Sequence, residues 1–308
     1  MVVTGQTFIA LLPELISTGF LILVLLVGVF TRSSVATGLA AIGTLGVFGS
    51  AAALLATGFS GSFFGGGFVV DGFALYFKLI VAGSAFFAVL AAARWSGQTG
   101  DAPEYLTLIL SVVVGATLLV SMRDLFGIFL AVELATIPSY AMVAFDRSRR
   151  ESAEGGIKYL ITGVIASSVL LYGIVLIYGV SGSARLQDVA GAFTGTLTPV
   201  AVLGLVLMIS GFAFKLSVAP FHFWTPDAYQ GAPTSAAAFL SVGPKAATFA
   251  VLLRILLEGM PAAAPTWTAM LAFLSIITMF VGNLFALRQR NVRRMLAYSS
   301  VAHSGYIL

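Results

Sequence analysis

Charge is what this sequence has least of. Its 308 residues include 16 Lys or Arg, 12 Asp or Glu and two His, so only 9% of the chain is charged. A soluble domain carries about 25% charged residues, and a chain of this length could not cover its surface with so few. A water-soluble fold is excluded, and lipid is the solvent for most of the chain. Cysteine is absent altogether, which excludes thiolate-ligated iron–sulfur clusters, cysteine-based zinc sites and disulfides on this chain. No dinucleotide-binding βαβ pattern is present. The two histidines, His222 and His303, lie on different apolar stretches with no carboxylate at ligand spacing, so they form no metal shell. The excess of four positive charges is spread mostly over short loops; it reports topology and not a nucleic-acid partner. No basic segment precedes the first apolar run and no small-residue cleavage site follows it, so that run reads as a retained span and not a signal peptide.

What is present is apolar length. Hydrophobic residues make up 59% of the chain, and they recur in runs near the roughly 20 residues that a membrane-crossing helix needs. Nine spans are expected: Phe8–Phe30, Val35–Gly58, Val69–Arg94, Tyr105–Met122, Asp124–Phe145, Ile157–Val180, Leu197–Gln230, Pro233–Leu257 and Thr266–Arg288. A tenth begins at Met295 and meets the terminus. Backbone polar groups in hydrocarbon must be satisfied within the segment, so the fold class is all-α and polytopic. Gly-rich stretches such as Gly61–Gly67 read as loops between spans. Loops after odd-numbered spans hold Arg32, Arg94, Arg147, Arg149, Arg150, Arg288, Arg290, Arg293 and Arg294, against Arg123, Arg185 and Arg254 after even-numbered ones. The positive-inside bias places the first set in the cytoplasm and the N-terminus outside.

Against this background a few ionisable groups stand out, because each costs about 2.5–3.5 kcal/mol at a helix centre. Glu133 falls near the middle of the fifth span and Lys245 at the middle of the eighth. Lys78 lies within the third, with Asp71 seven residues earlier on roughly the same face; these two read as a structural pair. Lys158 starts the sixth span, where it either snorkels to the interface or takes part in transfer. His222 and His303 fit either hydrogen-bonded core histidines or transfer groups, and His303 would be central in the tenth span if that span continued. Lys215 belongs to a stretch of 34 residues, Leu197–Gln230. A straight helix of that length would be about 51 Å long against a hydrocarbon core of about 30 Å. Pro220 and Pro226 resolve the mismatch by breaking it. The expected form is two half-helices joined near Ser217–Phe221, with Lys215 just before the joint and near mid-membrane. Such breaks are tolerated where they line a cavity, and transporters place ion sites there. Pro138, Pro220 and Pro244 each leave the carbonyl four residues earlier without its donor. Each central charge therefore has an unpaired carbonyl within about one turn, able to hold water or accept from an ammonium.

The motifs carry a family resemblance. Phe214–Thr234 reads FKLSVAPFHFWTPDAYQGAPT, followed by GPKAA at Gly243–Ala247; Met122–Met142 reads MRDLFGIFLAVELATIPSYAM and Arg290–Tyr306 reads RNVRRMLAYSSVAHSGY. Together these resemble the antiporter-like membrane subunits of the proton-pumping NADH:quinone oxidoreductase (respiratory complex I), and the YQGAPT ending is similar to the subunit N branch in particular. The resemblance implies a fourteen-helix fold in which helices four to eight recur inverted as nine to thirteen. Residues 1–104 would then hold helices one to three, 105–258 the first repeat unit and 259–308 the start of the second. Set against that pattern the chain stops early, before the broken twelfth helix, and is expected to be C-terminally truncated.

The resemblance further implies a proton-translocating subunit, or translocase, with Glu133, Lys215 and Lys245 in the proton path, His303 a possible next station and Lys158 a candidate beside them. It places the chain in a prokaryotic cell (inner) membrane, beside other membrane subunits that support electron transport. Cofactors are expected off this chain: NADH, FMN, iron–sulfur clusters and quinone would belong to partner subunits. Two other readings are a secondary cation/proton antiporter subunit, against which YQGAPT argues, and a non-pumping scaffold, against which three mid-membrane charges at helix breaks argue.

Overall fold

The computed structural model describes residues 5–28, 30, 33–99, 101–193 and 197–308, with backbone alone at 33 and 94–99. Arg32 and the side chain of Arg94, both used above to orient the chain, lie outside the described residues. The chain folds as α1 (Gly5–Ala10), α2 (Leu12–Gly28), α3 (Ser33–Ala56), a hairpin of β1 (Gly61–Phe63) and β2 (Phe68–Val70), then α4 (Gly72–Thr99), α5 (Ala102–Ser121), α6 (Leu125–Val143) and α7 (Arg150–Ser181). It continues through α8 (Leu186–Ala192), α9 (Pro199–Lys215), α10 (Trp224–Gly231), α11 (Thr234–Arg254) with a π-helical turn at Ile255–Gly259, α12 (Ala264–Leu287) and α13 (Val292–Ile307).

Among the described residues seven helices are long and apolar enough to cross a membrane: α3 to α7, α11 with its π turn, and α12. The other three expected spans are present as shorter elements. The first is interrupted at Leu11, two residues before Pro13, whose missing N–H and bulky ring disfavour an uninterrupted helix, and α2 keeps 17 residues. The seventh is broken, with 17 residues in α9 and eight in α10. The tenth, α13, has 16 residues and carries Arg293 and Arg294 in its first turn.

Three features were not legible as structure. The Gly61–Gly67 stretch is not a simple loop: β1 pairs antiparallel with β2, Gly61 opposite Val70 and Phe63 opposite Phe68. The helix α8 and the π turn are also additions. One expectation is corrected outright. Lys78 does not pair with Asp71; its Nζ lies 2.6 Å from the Glu14 carboxylate on α2, and both side chains are buried. Seven residues along a helix span about 10 Å, too far for the two to meet comfortably. Asp71 instead caps α4, accepting from the Ala74 N–H at 2.7 Å, and takes a bidentate contact from Arg254 at 3.0–3.1 Å.

The helices around the charges approach closely through small residues, the usual packing device where lipid supplies no hydrophobic drive. A Cβ on Gly115 of α5 would sit 2.4 Å from the backbone nitrogen of Ala135 on α6, and one on Gly211 of α9 would sit 2.5 Å from the Leu170 side chain on α7. These contacts hold α5 against α6 and α9 against α7 within about one turn of Glu133 and Lys215.

Candidate functional site

The break between α9 and α10 builds the site. After Lys215 the helical ladder ends, and residues 216–223 form successive turns with Ser217 at a φ of 60°. Local bonds close part of the gap: Val218 N–H donates to the Ala213 carbonyl at 2.8 Å, and the Trp224 indole N–H donates to the Phe214 carbonyl at 3.1 Å. The buried Ala219 N–H donates to Thr278 Oγ1 of α12 at 3.0 Å. A neighbouring helix thus satisfies backbone that the break releases, as membrane depth requires.

Lys215 is 9% exposed. Its Nζ lies 3.5 Å from Glu133 Oε1 and donates at 3.1 Å to both Thr136 Oγ1 and Ser167 Oγ. Ser167 in turn donates to Glu133 Oε1 at 2.6 Å. The shorter hydrogen bonds between ammonium and carboxylate therefore run through the Ser167 hydroxyl. The expected Glu133–Lys215 pair is present, with a serine joining its members.

A cavity of about 30 Å³ lies next to Lys215, lined by Thr136, Ser139, Tyr159, Pro244 and Thr248 among others. A water molecule needs roughly 10–15 Å³ of such volume and two to four polar partners, and this lining supplies them. Ser139 Oγ donates to Tyr159 Oη at 3.2 Å, and Tyr159 stacks on Trp224 with ring centroids 4.1 Å apart. Pro244 borders this cavity, whereas its neighbour Lys245 borders a second one of about 610 Å³ with His303, Ser300 and Ser304. Lys245 is 6% exposed and donates to Ser300 Oγ at 2.8 Å and Ser304 Oγ at 3.4 Å. Helix α11 thus separates the two cavities at the Pro244–Lys245 step.

The remaining candidates fall elsewhere. His303 is exposed on α13, with Nδ1 2.8 Å from the Ser299 carbonyl, and shares only the larger cavity with Lys245. His222 is buried beside Phe223, and its Nδ1 has no hydrogen-bond partner among the described residues. Lys158 is 46% exposed and pairs with Glu154 at 2.6 Å and Asp227 at 2.7 Å. Asp227 of α10 also pairs with Arg294 of α13, so it ties the half-helix to α7 and α13. The carbonyls expected beside the prolines are not the partners of Lys215: its ammonium donates to Thr136 and Ser167, and that of Lys245 to Ser300 and Ser304, the Ser300 carbonyl included at 3.5 Å. Hydroxyl residues are too ordinary in membrane helices to be singled out by type, so sequence reasoning passed over them. Among the described residues no three His, Asp or Glu side chains gather as a metal would need.

An ammonium–carboxylate pair at a helix break, beside a hydroxyl-lined cavity and one helix away from a second buried ammonium, defines a polytopic helical membrane protein with ionisable groups inside its spans. Residues 122–308 match the family described as NADH:quinone oxidoreductase/Mrp antiporter, TM, and the chain belongs to it. Its sequence is of the subunit N type. It is 74% identical to NADH-quinone oxidoreductase subunit N of Rubrobacter xylanophilus over the whole of this chain and 65% of that protein. Among solved structures, a chain of respiratory complex I from Thermus thermophilus with bound aureothin is 33% identical, with a TM-score of 0.81 over 96% of this chain and 62% of that one. A chain of the membrane-bound sulfane sulfur reductase, an archaeal respiratory membrane complex, is 28% identical with a TM-score of 0.87, covering 98% and 63%. The chain therefore spans somewhat under two thirds of the length of these relatives.

Proposed function

We propose that this chain is the proton-translocating membrane subunit of an NADH:quinone oxidoreductase, moving protons while partner subunits transfer electrons from NADH to quinone. The observation that carries the proposal is the Glu133–Ser167–Lys215 arrangement at the α9–α10 break. Proximity stabilises the two charged forms against desolvation, so a change in their separation shifts a proton between them. When the pair loosens, the Lys215 ammonium releases a proton to water in the adjoining cavity, and Lys245 receives it across α11. His303 on the far wall of the larger cavity is the next station, and Lys158 with Asp227 stands at the α7 end of the same half-helix.

On this reading the fold is the fourteen-helix inverted repeat, with residues 1–104, 105–258 and 259–308 holding its first three helices, its first repeat and the start of its second. The arginine-rich side faces the cytoplasm of a prokaryotic cell, with the N-terminus outside. FMN, iron–sulfur clusters and the quinone site lie in the partners, consistent with the absence of cysteine here. The antiporter alternative shares the family, whereas the 74% identity to a subunit N supports the redox-driven reading. Reconstituted complex carrying the full-length subunit should acidify vesicles on NADH addition, and Lys245→Ala should lower that acidification in assembled protein. Proton movement driven by a cation gradient without NADH, at the same rate, would instead establish the antiporter.

A further inference from the structure

A third cavity, which shares Thr234 and Arg293 with the one beside Lys245, carries a different chemistry. It has about 480 Å³ and lies where three chain corners meet, lined by Asp146 and Arg149, by Gln230, Pro233 and Thr234, and by Asn291, Val292 and Arg293. Two guanidinium groups converge there on one neutral acceptor. Arg149 and Arg293 each donate to the Gln230 carbonyl at 3.4 Å, and Arg293 also donates to Thr234 Oγ1 at 3.2 Å. Asp146 on the cavity wall accepts from the backbone and hydroxyl of Ser148 at 3.2 and 2.6 Å and makes no ion pair with either guanidinium among the described residues. Glu151 reaches Arg149 only at 4.0 Å. The segments 146–151 and 288–294 together hold seven arginines against two carboxylates. The start of α13 adds the positive end of a helix dipole. Two like charges drawn to one carbonyl are disfavoured unless an anion sits between them, and paired guanidinium forks match the oxygens of a phosphodiester.

We infer that Arg149 and Arg293 form a binding site for the phosphodiester headgroup of an anionic membrane phospholipid. The neighbouring surface decides for a lipid over a free phosphate. Val292, on the cavity wall, is 64% exposed, and Leu287 and Leu296 beside it are 84% and 58% exposed. A basic cleft edged by exposed apolar side chains at the end of membrane helices accepts a headgroup and lays its acyl chains along the helix surface. The site ties the α6–α7, α10–α11 and α12–α13 corners together, so its occupancy stiffens the end of the half-helix that follows the break.

The test uses the assembled, delipidated complex containing the full-length subunit, as wild type, R149Q/R293Q, R293Q alone and R150Q. Arg150 is exposed but does not line the cavity. Each is exchanged into phosphatidylcholine nanodiscs with or without phosphatidylglycerol, or given inorganic phosphate. The lipid retained after repurification is measured by mass spectrometry, together with the thermal midpoint. Wild type and R150Q should retain phosphatidylglycerol preferentially and gain thermal stability from it, while R149Q/R293Q should lose both effects. If the double variant does not assemble, R293Q should still show a weakened preference. Equal phosphatidylglycerol retention by R293Q and wild type would overturn the assignment. A wild-type stability gain from inorganic phosphate alone would overturn the lipid in favour of a free anion. Loss of a partner polypeptide from the variants with lipid retention unchanged would overturn it in favour of a protein contact.

Discussion

Among the described residues two ammonium–carboxylate pairs lie inside the helix bundle, and their surroundings give them different work. Lys215 and Glu133 are bridged by Ser167 and adjoin a polar-lined cavity. Lys78 and Glu14 touch at 2.6 Å, yet beyond that contact neither has a hydrogen-bonding partner among the described residues; the Phe68 ring lies 5.3 Å from the ammonium. A pair with no hydrogen-bonded hydroxyl among the described residues acts as a packing pin between α2 and α4. Breaking such a pair costs about 3–5 kcal/mol, whereas replacing both members by apolar residues is often neutral or stabilising. Lys78→Met should therefore lower the thermal midpoint of the complex strongly, and Glu14→Leu/Lys78→Met should restore most of it with pumping retained. A double variant that loses pumping while staying assembled would show that the pair does more than pack. Glu133, Lys215 and Lys245 were legible because a charge inside an apolar run is costly and conspicuous. Glu14 lies near the start of the first apolar run, beside Pro13, away from the helix centre where a charge is most conspicuous.

At the scale of elements, length gave away the break. Thirty-four apolar-flanked residues with two prolines could not be one straight span, and α9 does end at Lys215. What closes the break was hidden, since it depends on which helix packs against the joint. Thr278 of α12 supplies the acceptor for Ala219 from 59 residues away. Thr278→Val keeps the shape and removes the acceptor, leaving a buried N–H unpaired at a cost of about 1–3 kcal/mol. The expected result is a lower thermal midpoint and faster hydrogen exchange around Ala219, with reduced pumping. Unchanged exchange in that segment would mean that the break is held by its own turns. The β1–β2 hairpin escaped because its three-residue strands lie in a Gly-rich stretch too short for a period to register.

Across the whole molecule, the arginines separate onto two ends. Arg149 and Arg293 meet at Gln230, whereas the Arg185 backbone pairs with that of Asp124 at the opposite end of α6 from the loop that carries Arg147. The chain has no native cysteine to compete with a label. Cysteines at positions 147 and 185 should react with an impermeant thiol reagent from opposite sides of oriented vesicles, position 147 from the cytoplasmic side. Labelling of both from one side would overturn the topology.

The central claim is that Lys215 carries protons and does not only hold Glu133 in place. Lys215→Arg keeps the charge but gives up a proton far less readily, since arginine titrates above about 12; Lys215→Ala removes the group and leaves Glu133 without its ammonium partner. The deciding measurement is NADH-driven vesicle acidification by reconstituted complex, normalised to assembled protein, for wild type and both variants. The account predicts that both assembled variants pump poorly, Lys215→Arg included. Wild-type pumping by Lys215→Arg, with Lys215→Ala impaired, would reduce Lys215 to a structural charge, and wild-type pumping by both would contradict the account entirely.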